Sequence, residues 1–253
     1  DDIETVTIKT TSAESIDLSE FAMTTAGEVM ALTVTGATAL TISALGADVT
    51  TIDASASTGG VVVTGSAVTG ASTITGSSAA DTFIMVNKGD VINSGAGTDT
   101  LDINFNAILG GISVDLTSAT DQVDSFNGSA NSAATTGFIN VIMDGYTGTF
   151  GSEITANKAG SSITGTPQAD SIGLGAGVDV VKFLDTNGAD IVSSFTINSD
   201  SLSFASITAD GTIAEAAIAN DAGTILGTTT LSTSHTIVYV IDTDATELGT
   251  SIA

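Results

Sequence analysis

The chain lacks several residue types, and each absence excludes a class of structure. It contains no cysteine, no tryptophan and a single proline, and its four positively charged residues are all lysines. Without cysteine, disulfide bonds and thiolate metal sites are excluded. No apolar run reaches the roughly 18 residues of a membrane-spanning helix, so we expect no membrane insertion. No charged-then-apolar signal peptide opens the chain, and DDIETVTIKT is interpreted as the start of a fragment clipped from a longer precursor.

The charge of the chain is strongly one-sided. It has 29 acidic residues against 4 lysines, a formal net charge of -25, although only 13% of its residues are charged. Almost no positive charge is available to contact phosphates, which excludes nucleic acid as a partner. Carboxylates gathered in turns repel one another unless bound divalent cations neutralise them. The alternative is that the acidity only keeps an otherwise apolar protein in solution.

Short strand-like segments recur from residue 3 to residue 74. They are IETVTI, LTVTG, LTISA, TTIDAS, VVVTG and STITG. Each segment places apolar residues at every second position and ends on a small residue or glycine, which is typical of half-buried strands joined by tight turns. The dense repetition favours an all-β fold, a parallel β-solenoid or β-roll, over its alternative, an ordinary β-sandwich.

Two later blocks carry evenly spaced aspartates. Within each block successive aspartates are 9 residues apart, except for a final interval of 11, and the second block repeats the first at an offset of 89 residues. The first block, residues 76–105, contains Asp81, Asp90 and Asp99, and the second, residues 165–195, contains Asp170, Asp179 and Asp190. This pattern indicates an internal duplication of one aspartate-glycine cassette.

A spacing of nine residues has a geometric interpretation. If six residues form a turn and three form a strand, two units complete one coil of 18 residues. Asp81 and Asp99 then stack on one edge of the roll, and Asp90 lies on the opposite edge. Stacked turns offer carboxylate and carbonyl oxygens, which are the ligands that calcium takes. Glycine in such turns permits left-handed backbone angles that expose the carbonyls. The glycines expected in these positions are Gly95, Gly97, Gly175 and Gly177.

The motifs SGAGTDTLD (residues 94–102) and LGAGVDVVK (residues 174–182) resemble the nonapeptide G-G-x-G-x-D-x-U-x of RTX (repeats-in-toxin) proteins. Ser94 and Leu174 replace the first glycine, which is interpreted as a degenerate repeat. GSSAADTFI and GTPQADSIG are similar to the opening repeat of that family. MVNKGDVIN lacks the turn glycines, whereas DTNGADIVS keeps one. The resemblance implies a calcium-filled β-roll with several Ca²⁺ ions and these site residues: Asp81, Asp90, Gly95, Gly97, Asp99, Asp170, Gly175, Gly177, Asp179, Gly188 and Asp190.

The remaining segments complete the resemblance. Residues 190–204 resemble the strand and turn that close RTX rolls, residues 214–221 are predicted to form a short helix, and TLSTSHTIVYVIDTDATEL predicts a strand. This order is similar to the C-terminal module of proteins exported by type I secretion, and the whole layout to RTX-type bacterial surface-layer proteins. Four further aspartates are interpreted as solvated turn residues, with calcium ligation as the alternative: Asp115, Asp121, Asp124 and Asp144.

The predicted organisation has five parts. Residues 1–75 form a Thr/Ala/Gly-rich solenoid region, and residues 205–253 form a small C-terminal cap of the secretion type. Between them lie the first cassette, a connecting region of coils and loops, and the second cassette, at residues 76–105, 106–162 and 163–204.

Signals for catalysis are weak. His235 is the only histidine, which excludes the H-E-x-x-H zinc-protease motif, and neither a nucleophile elbow nor a P-loop is present. A non-enzymatic role is therefore expected, with a polysaccharide-acting β-helix enzyme as the weakest hypothesis, since paired carboxylates are plentiful.

Two function classes remain. The leading one is a secreted, calcium-dependent structural protein of the bacterial cell surface, a homo-oligomer that assembles into a surface layer or extracellular filament, with cell-surface polysaccharide as a second candidate partner. The alternative is the C-terminal calcium-binding module of a larger type I-secreted adhesin or exoenzyme.

Overall fold

The fold is known from a computed structural model of the chain. It describes residues 3–21, 23, 27–65, 70–85, 87–104, 110–126, 128–131, 133–184, 188–196 and 199–203, together with the backbone of 217–219 and 239–241. Every regular element in these residues is a β-strand. A helix able to cross a membrane is not found among them.

The strands are short, and most contain three to six residues. In chain order they are β1 (Thr5–Thr10), β2 (Glu14–Leu18), β3 (Met30–Gly36), β4 (Leu40–Leu45), β5 (Val49–Asp53), β6 (Val61–Val63), β7 (Thr73–Thr75), β8 (Thr82–Met85), β9 (Val91–Asn93), β10 (Thr100–Ile103), β11 (Ile112–Asp115), β12 (Val123–Phe126), β13 (Ser129–Ala130), β14 (Thr135–Thr136), β15 (Asn140–Ile142), β16 (Ser152–Thr155), β17 (Ser162–Thr164), β18 (Ser171–Gly173), β19 (Val180–Lys182), β20 (Ile191–Ser193), β21 (Ser201–Ser203), β22 (Ala217–Ala219) and β23 (Tyr239–Ile241).

The chain divides into two compact units. Unit 1 contains Asp1–Phe105, Ser118–Asp124 and Ala130–Ile142, and unit 2 contains Asn106–Thr117, Ser125–Ser129 and Met143–Ala253. Strands β12 and β13 each contain residues of both units. The units do not follow the five-part division expected from the sequence, which remains a prediction.

In unit 1, successive strands alternate between two sheets. One has the order β1-β3-β5-β7-β9-β14, and the other runs β2-β4-β6-β8-β10-β15. The strand pairs within both sheets are parallel, so the antiparallel sandwich, the alternative reading of the sequence, is wrong for this unit. Because β5 pairs with β7 and β7 with β9, the N-terminal strands and the first cassette share one continuous sheet.

Inward-facing residues of unit 1 stack in register to form the core. Leu32, Ile52, Ile74 and Ile92 occupy one row of the first sheet. The second sheet has the matching row Ile42, Val63, Phe83, Leu101 and Val141, and all nine side chains are buried. Burying such a side chain contributes about 1.5–3 kcal/mol relative to leaving it in water, which makes these rows the main apolar stabilisation of the stack.

The coil length predicted from the aspartate spacing is confirmed inside the cassettes. Thr73 pairs with Val91, and Thr82 pairs with Thr100, so one coil advances 18 residues in both sheets of unit 1. The same advance separates Glu153 from Ser171 in unit 2. Outside the cassettes the coil is longer, since Thr5 pairs with Ala31, which is 26 residues away.

Unit 2 has the same parallel construction. Strands β11-β16-β18-β20-β23-β22 follow one another in one sheet, and β17-β19-β21 follow one another in a second. Val114, Ile154, Ile172 and Val192 form a buried row in the first. The second cassette thus uses the same alternation of inward apolar and outward polar residues as the first.

The helix predicted at residues 214–221 is wrong at its centre. Residues 217–219 form β22, which pairs in parallel with β23, and the other residues of that segment lie outside the described part. The strand expected in TLSTSHTIVYVIDTDATEL is confirmed at Tyr239–Ile241. Alanine favours helices, but the hydrogen bonds offered by a neighbouring strand override that local preference.

The last coil of unit 1 contains two polar groups inside the core. The Gln122 amide nitrogen donates to the Phe138 carbonyl, the Phe138 N–H donates to the Gln122 amide oxygen, and both distances are 2.8 Å. This side chain therefore supplies the hydrogen bonds of a missing strand residue. Thr135 continues the row of Ile92 and is fully buried, and its hydroxyl makes no hydrogen bond.

Replacing Thr135 by valine should stabilise the protein. A buried hydroxyl without a partner costs free energy that a methyl group of similar size does not. We expect Thr135→Val to raise the free energy of unfolding by about 1 kcal/mol in urea titrations. Thr136→Val, on the outward and half-exposed face of the same strand, is the control and should change stability much less. A lower unfolding midpoint for Thr135→Val would contradict this assignment.

Candidate functional site

Each of the six aspartates predicted from the sequence lies immediately before a strand. They precede β8, β9, β10, β18, β19 and β20, and all six are at most 3% exposed. A seventh residue, Asp200, precedes β21 in the same way and is also buried. It was missed as a site residue, although its position 21 residues after Asp179 and just before SLS was a usable signal. We call these seven residues the ladder aspartates: Asp81, Asp90, Asp99, Asp170, Asp179, Asp190 and Asp200.

Every ladder aspartate accepts a backbone N–H from a residue 18–21 positions earlier. The Asp99 carboxylate accepts the N–H of Asp81 at 2.8 Å, which confirms the predicted stacking of these two residues. Asp190 accepts the N–H of Asp170 at 3.0 Å in the second cassette. Because the acceptor is ionisable, each such bond is stronger than a neutral one when the carboxylate is charged. The carboxylates thus continue, through the turns, the hydrogen bonding that joins the strands.

The second carboxylate oxygen usually closes the turn of its own coil. It accepts the N–H of a residue three or four positions earlier: Ser77 to Asp81, Asn87 to Asp90, Thr166 to Asp170, Gly175 to Asp179 and Thr196 to Asp200, at 2.7–3.1 Å. One side chain therefore satisfies two backbone donors that the turn would otherwise leave buried without partners. The ladder aspartates are structural residues of the turns before any ligand is considered.

Asp99 differs, because its second oxygen accepts a hydroxyl instead of an N–H. The Ser94 Oγ–H donates to Asp99 Oδ2 at 2.8 Å, and Ser94 is fully buried. Ser94 stands where the first glycine of the RTX nonapeptide is expected. Its interpretation as a mark of repeat degeneracy was therefore incomplete, since the side chain supplies the donor that closes this turn.

The ladder carboxylates differ in how much acceptor capacity is used. An ionised carboxylate has about four lone-pair sites. Asp170 accepts four hydrogen bonds, from the N–H and hydroxyl groups of Ser152 and Thr166. Asp99 and Asp179 each accept two. The Gly-rich turns of SGAGTDTLD and LGAGVDVVK therefore retain acceptor sites, whereas the opening turn of the second cassette has none left.

The glycines act in two different ways. Gly95 and Gly97 have positive φ values of 94° and 142°, as predicted. The same expectation is wrong for Gly175 and Gly177, which are absent from the positive-φ residues of the described chain. Their reason is close approach, since a Cβ on Gly177 would lie 2.0 Å from the nitrogen of Gly160 in the neighbouring coil.

Gly188 is also set by close approach. A Cβ at this position would lie 2.1 Å from the Ala169 nitrogen. The cassette glycines therefore let adjacent turns stack tightly, and only those of the first cassette set a left-handed backbone.

Burial shifts the protonation of the ladder. Desolvation raises the pKa of Asp81, Asp99, Asp170 and Asp179 above its ordinary value, although their hydrogen-bond donors oppose the shift. For Asp190, desolvation together with the charge of Asp170 raises the pKa to about 7. Within a stack, each carboxylate is also repelled by its neighbour, as Asp99 is by Asp81. The folded chain therefore accumulates unfavourable negative charge at neutral pH.

The donor set fits calcium in part. Nowhere in the described ranges do three His, Cys, Asp or Glu side chains converge on one metal position. A cation in these turns would therefore need backbone carbonyls and water beside one or two carboxylates, a mixture that calcium accepts. The Asp99 and Asp179 turns have the spare acceptor sites for this, and the saturated Asp170 does not fit. The calcium role of the predicted residues remains a prediction.

Other acidic residues act as turn residues. The Asp115 carboxylate accepts the N–H and hydroxyl of Thr117, and Asp121 accepts the N–H groups of Val123 and Thr135. At Asp53, hydrogen bonds from Ser55 lower the pKa of the exposed carboxyl. These contacts agree with their interpretation as turn residues, and calcium ligation by them is untested.

Unit 2 also contains a shallow groove of about 440 Å³. Its lining includes Gly111, Ser113, Ser171, Ile191 and the exposed Glu153. Asp170 lies at its wall with its carboxylate fully hydrogen-bonded. The groove offers hydroxyl groups and one free-standing carboxyl side chain to solvent. His235, considered above for catalysis, lies outside the described residues.

Comparison with known proteins gives no assignment. No protein-family model matches the sequence, and no curated protein matches it. The resemblance to RTX proteins therefore rests on the motif residues, on the parallel sheets and on the buried aspartates of the turns.

Two substitutions should separate the hydrogen-bonding role of the ladder from its charge. In Asp170→Asn, the amide NH₂ must face a backbone N–H, so we expect a loss of about 1–3 kcal/mol in the free energy of unfolding. In Asp99→Asn, the amide can donate to the Ser94 oxygen and still accept the Asp81 N–H. Its loss in metal-free buffer should be well under that of Asp170→Asn. Urea unfolding measures both, and equal losses would contradict the proposed bonding at Asp99.

The raised pKa values also predict how stability depends on pH. Between the ordinary aspartate pKa of 3.8 and the raised values, the folded chain binds more protons than the unfolded chain. In metal-free buffer, the free energy of unfolding should therefore be greatest below about pH 4 and should fall as the pH rises through about 7, the pKa of Asp190. Asp190→Asn should flatten the fall between pH 5 and 7. Stability that rises with pH over this range would refute the prediction.

Proposed function

We propose that the protein is a calcium-dependent structural protein of the bacterial cell exterior that self-assembles into a surface layer or extracellular filament. The observation that carries this proposal is the stack of buried, like-charged aspartates at the turns of a parallel β-coil. The 18-residue coils and the glycine-flanked Asp99 and Asp179 turns support an RTX-type β-roll within it.

The charge balance of the coil supports a cation requirement. Asp81 and Asp99 raise the electrostatic energy of each other, as do Asp170 and Asp190. The chain has only four lysines to offset its 29 acids. A buried carboxylate either takes up a proton or needs a cation, since an uncompensated buried charge is costly. At neutral pH a divalent cation would relieve a repulsion that the amide donors reduce only in part.

The residues best able to hold calcium are Asp99 and Asp179. Calcium bound there would supply the positive charge that the chain itself lacks. Gly95 and Gly97 shape the Asp99 turn, and Gly175 and Gly177 let its counterpart approach the coil beneath. The remaining acceptor sites of both carboxylates face no hydrogen-bond donor of the described chain. Asp81 and Asp170 act mainly through hydrogen bonds to the coil before them.

This arrangement links folding to the environment. At the low calcium of a cytosol, stacked carboxylates oppose closure of the coil, and the chain stays exportable. At roughly millimolar external calcium, a ligand bound only by the folded state stabilises that state. A secreted scaffold with this property becomes rigid only where it is used.

Calcium dependence is tested by thermal unfolding. Circular dichroism in EGTA and then in millimolar calcium should show a higher unfolding midpoint, or recovery of β structure, with calcium. Asp99→Asn should reduce the calcium-induced shift, because it removes a ligand charge and keeps the hydrogen bonds. Asp53→Asn, an exposed aspartate outside the ladder, is the matched control and should keep the full shift. An identical β spectrum and midpoint with and without calcium would refute calcium-dependent folding.

Self-assembly is tested separately by electron microscopy. Purified protein with calcium should form sheets or filaments, and EGTA should dissolve them. Persistent monomers at high protein concentration in calcium would count against the structural role and favour a secretion or adhesion module of a larger protein.

A further inference from the structure

The first coil of unit 1 is less well covered than the coils that follow it. Val6 and Ile8 of β1 occupy inward positions and remain partly exposed. Their partners one coil later, Leu32 and Val34, are 1% and 0% exposed. Ile16 of β2 is likewise partly exposed, whereas its partner Ile42 is fully buried. The core of unit 1 is therefore open at this end.

Exposed apolar side chains gather at the same end. Ile3 is 66% exposed, Phe21 38% and Val29 53%. All three flank the strands of the first coil. In the described part of unit 1, Val91 is the other large apolar residue with comparable exposure. A cluster of exposed apolar residues beside an open core marks a contact surface more than a solvated end.

The strand edges at this end carry unused hydrogen-bonding groups. The Ala31 N–H donates to the Glu4 carbonyl, so the peptide groups of alternate residues from Glu4 onward point toward β3. Those of Thr5, Thr7 and Lys9 point the other way. β1 pairs with β3 and β2 with β4, and the described strands include no second neighbour for either. An open edge of this kind is a template for another strand.

We propose that this open end binds the same end of a second copy of the chain. A two-fold axis that crosses both sheets would place β1 against β1 and β2 against β2, antiparallel, in one contact. Centred on Thr7, the β1 pairing sets Val6 opposite Ile8, and Lys9 opposite Thr5. The half-exposed inward residues then meet across the junction, and no two like charges lie directly opposite in β1. Such a closed, isologous contact is the commonest symmetry of homo-oligomers.

The contact refines the self-assembly proposed above and rests on it for its biological role. It joins the units of two molecules end to end and extends both sheets without interruption. Glu4, Glu14 and Asp17 of the same coil add negative charge on each side. We therefore expect the contact to strengthen with ionic strength, because salt screens repulsion between exposed charges.

The absence of cysteine makes a direct test possible, since a single introduced thiol can pair only with another copy. Across the proposed axis, the two Thr7 Cα atoms would be about 5.5 Å apart, within the usual range for a disulfide. Thr7→Cys should therefore give a covalent dimer on mild oxidation in calcium buffer. Thr33→Cys is the matched control, because Thr33 pairs with Thr7 on the next strand inward. Its two copies would lie beyond disulfide reach, and it should stay monomeric.

A second pair of variants tests the contact without oxidation. Thr7→Pro removes an edge N–H that β3 does not use, so the fold should persist while sedimentation velocity shows loss of the dimer. Thr7→Val keeps that N–H and should keep the dimer. No crosslink at position 7, equal crosslinking at positions 7 and 33, or an unchanged dimer in Thr7→Pro would each overturn the contact. Calcium-dependent assembly by electron microscopy is read separately, so the general proposal can stand if this contact fails.

Discussion

The fold depends on one interaction, the acceptance of backbone N–H groups by buried aspartates at the turns. A parallel coil must reverse direction twice in each repeat, and at each reversal the strand-to-strand hydrogen bonds stop. Asp81 shows how the gap is filled, since its carboxylate holds Val61 of the previous coil and Ser77 of its own turn. The apolar rows supply most of the favourable free energy, but the aspartates fix where each coil turns and therefore its register.

The same interaction creates the main energetic conflict of the molecule. A carboxylate is the acceptor that can serve two or more donors at once, and stacking such groups places charge upon charge in a buried position. Asp190 carries the result most clearly, with a pKa of about 7. Protons and cations are two ways to resolve this conflict, so pH and calcium are expected to act on one set of residues. Stability, ion binding and assembly are thus linked through the turns.

Much of this organisation could be predicted from the sequence. The aspartate spacing of nine predicted the 18-residue coil and the stacking of Asp81 and Asp99, because a strict repeat leaves few alternative geometries. What could not be predicted depends on contacts between distant residues. Neither the hydroxyl role of Ser94 nor the amide bridge of Gln122 follows from local pattern. Gly177 was assigned the wrong reason, since nearness to Gly160 is visible only in three dimensions.

The ladder also has a direction. In every case the carboxylate belongs to the later coil and the N–H to the earlier one. A chain made from its N-terminus thus always ends in a coil whose turn still lacks its acceptor, and only the next coil to be synthesised provides it. Completion of each coil waits on its successor, so a partly made chain carries a permanently unfinished end. Such a polymer is best suited to closing after the whole chain has been released.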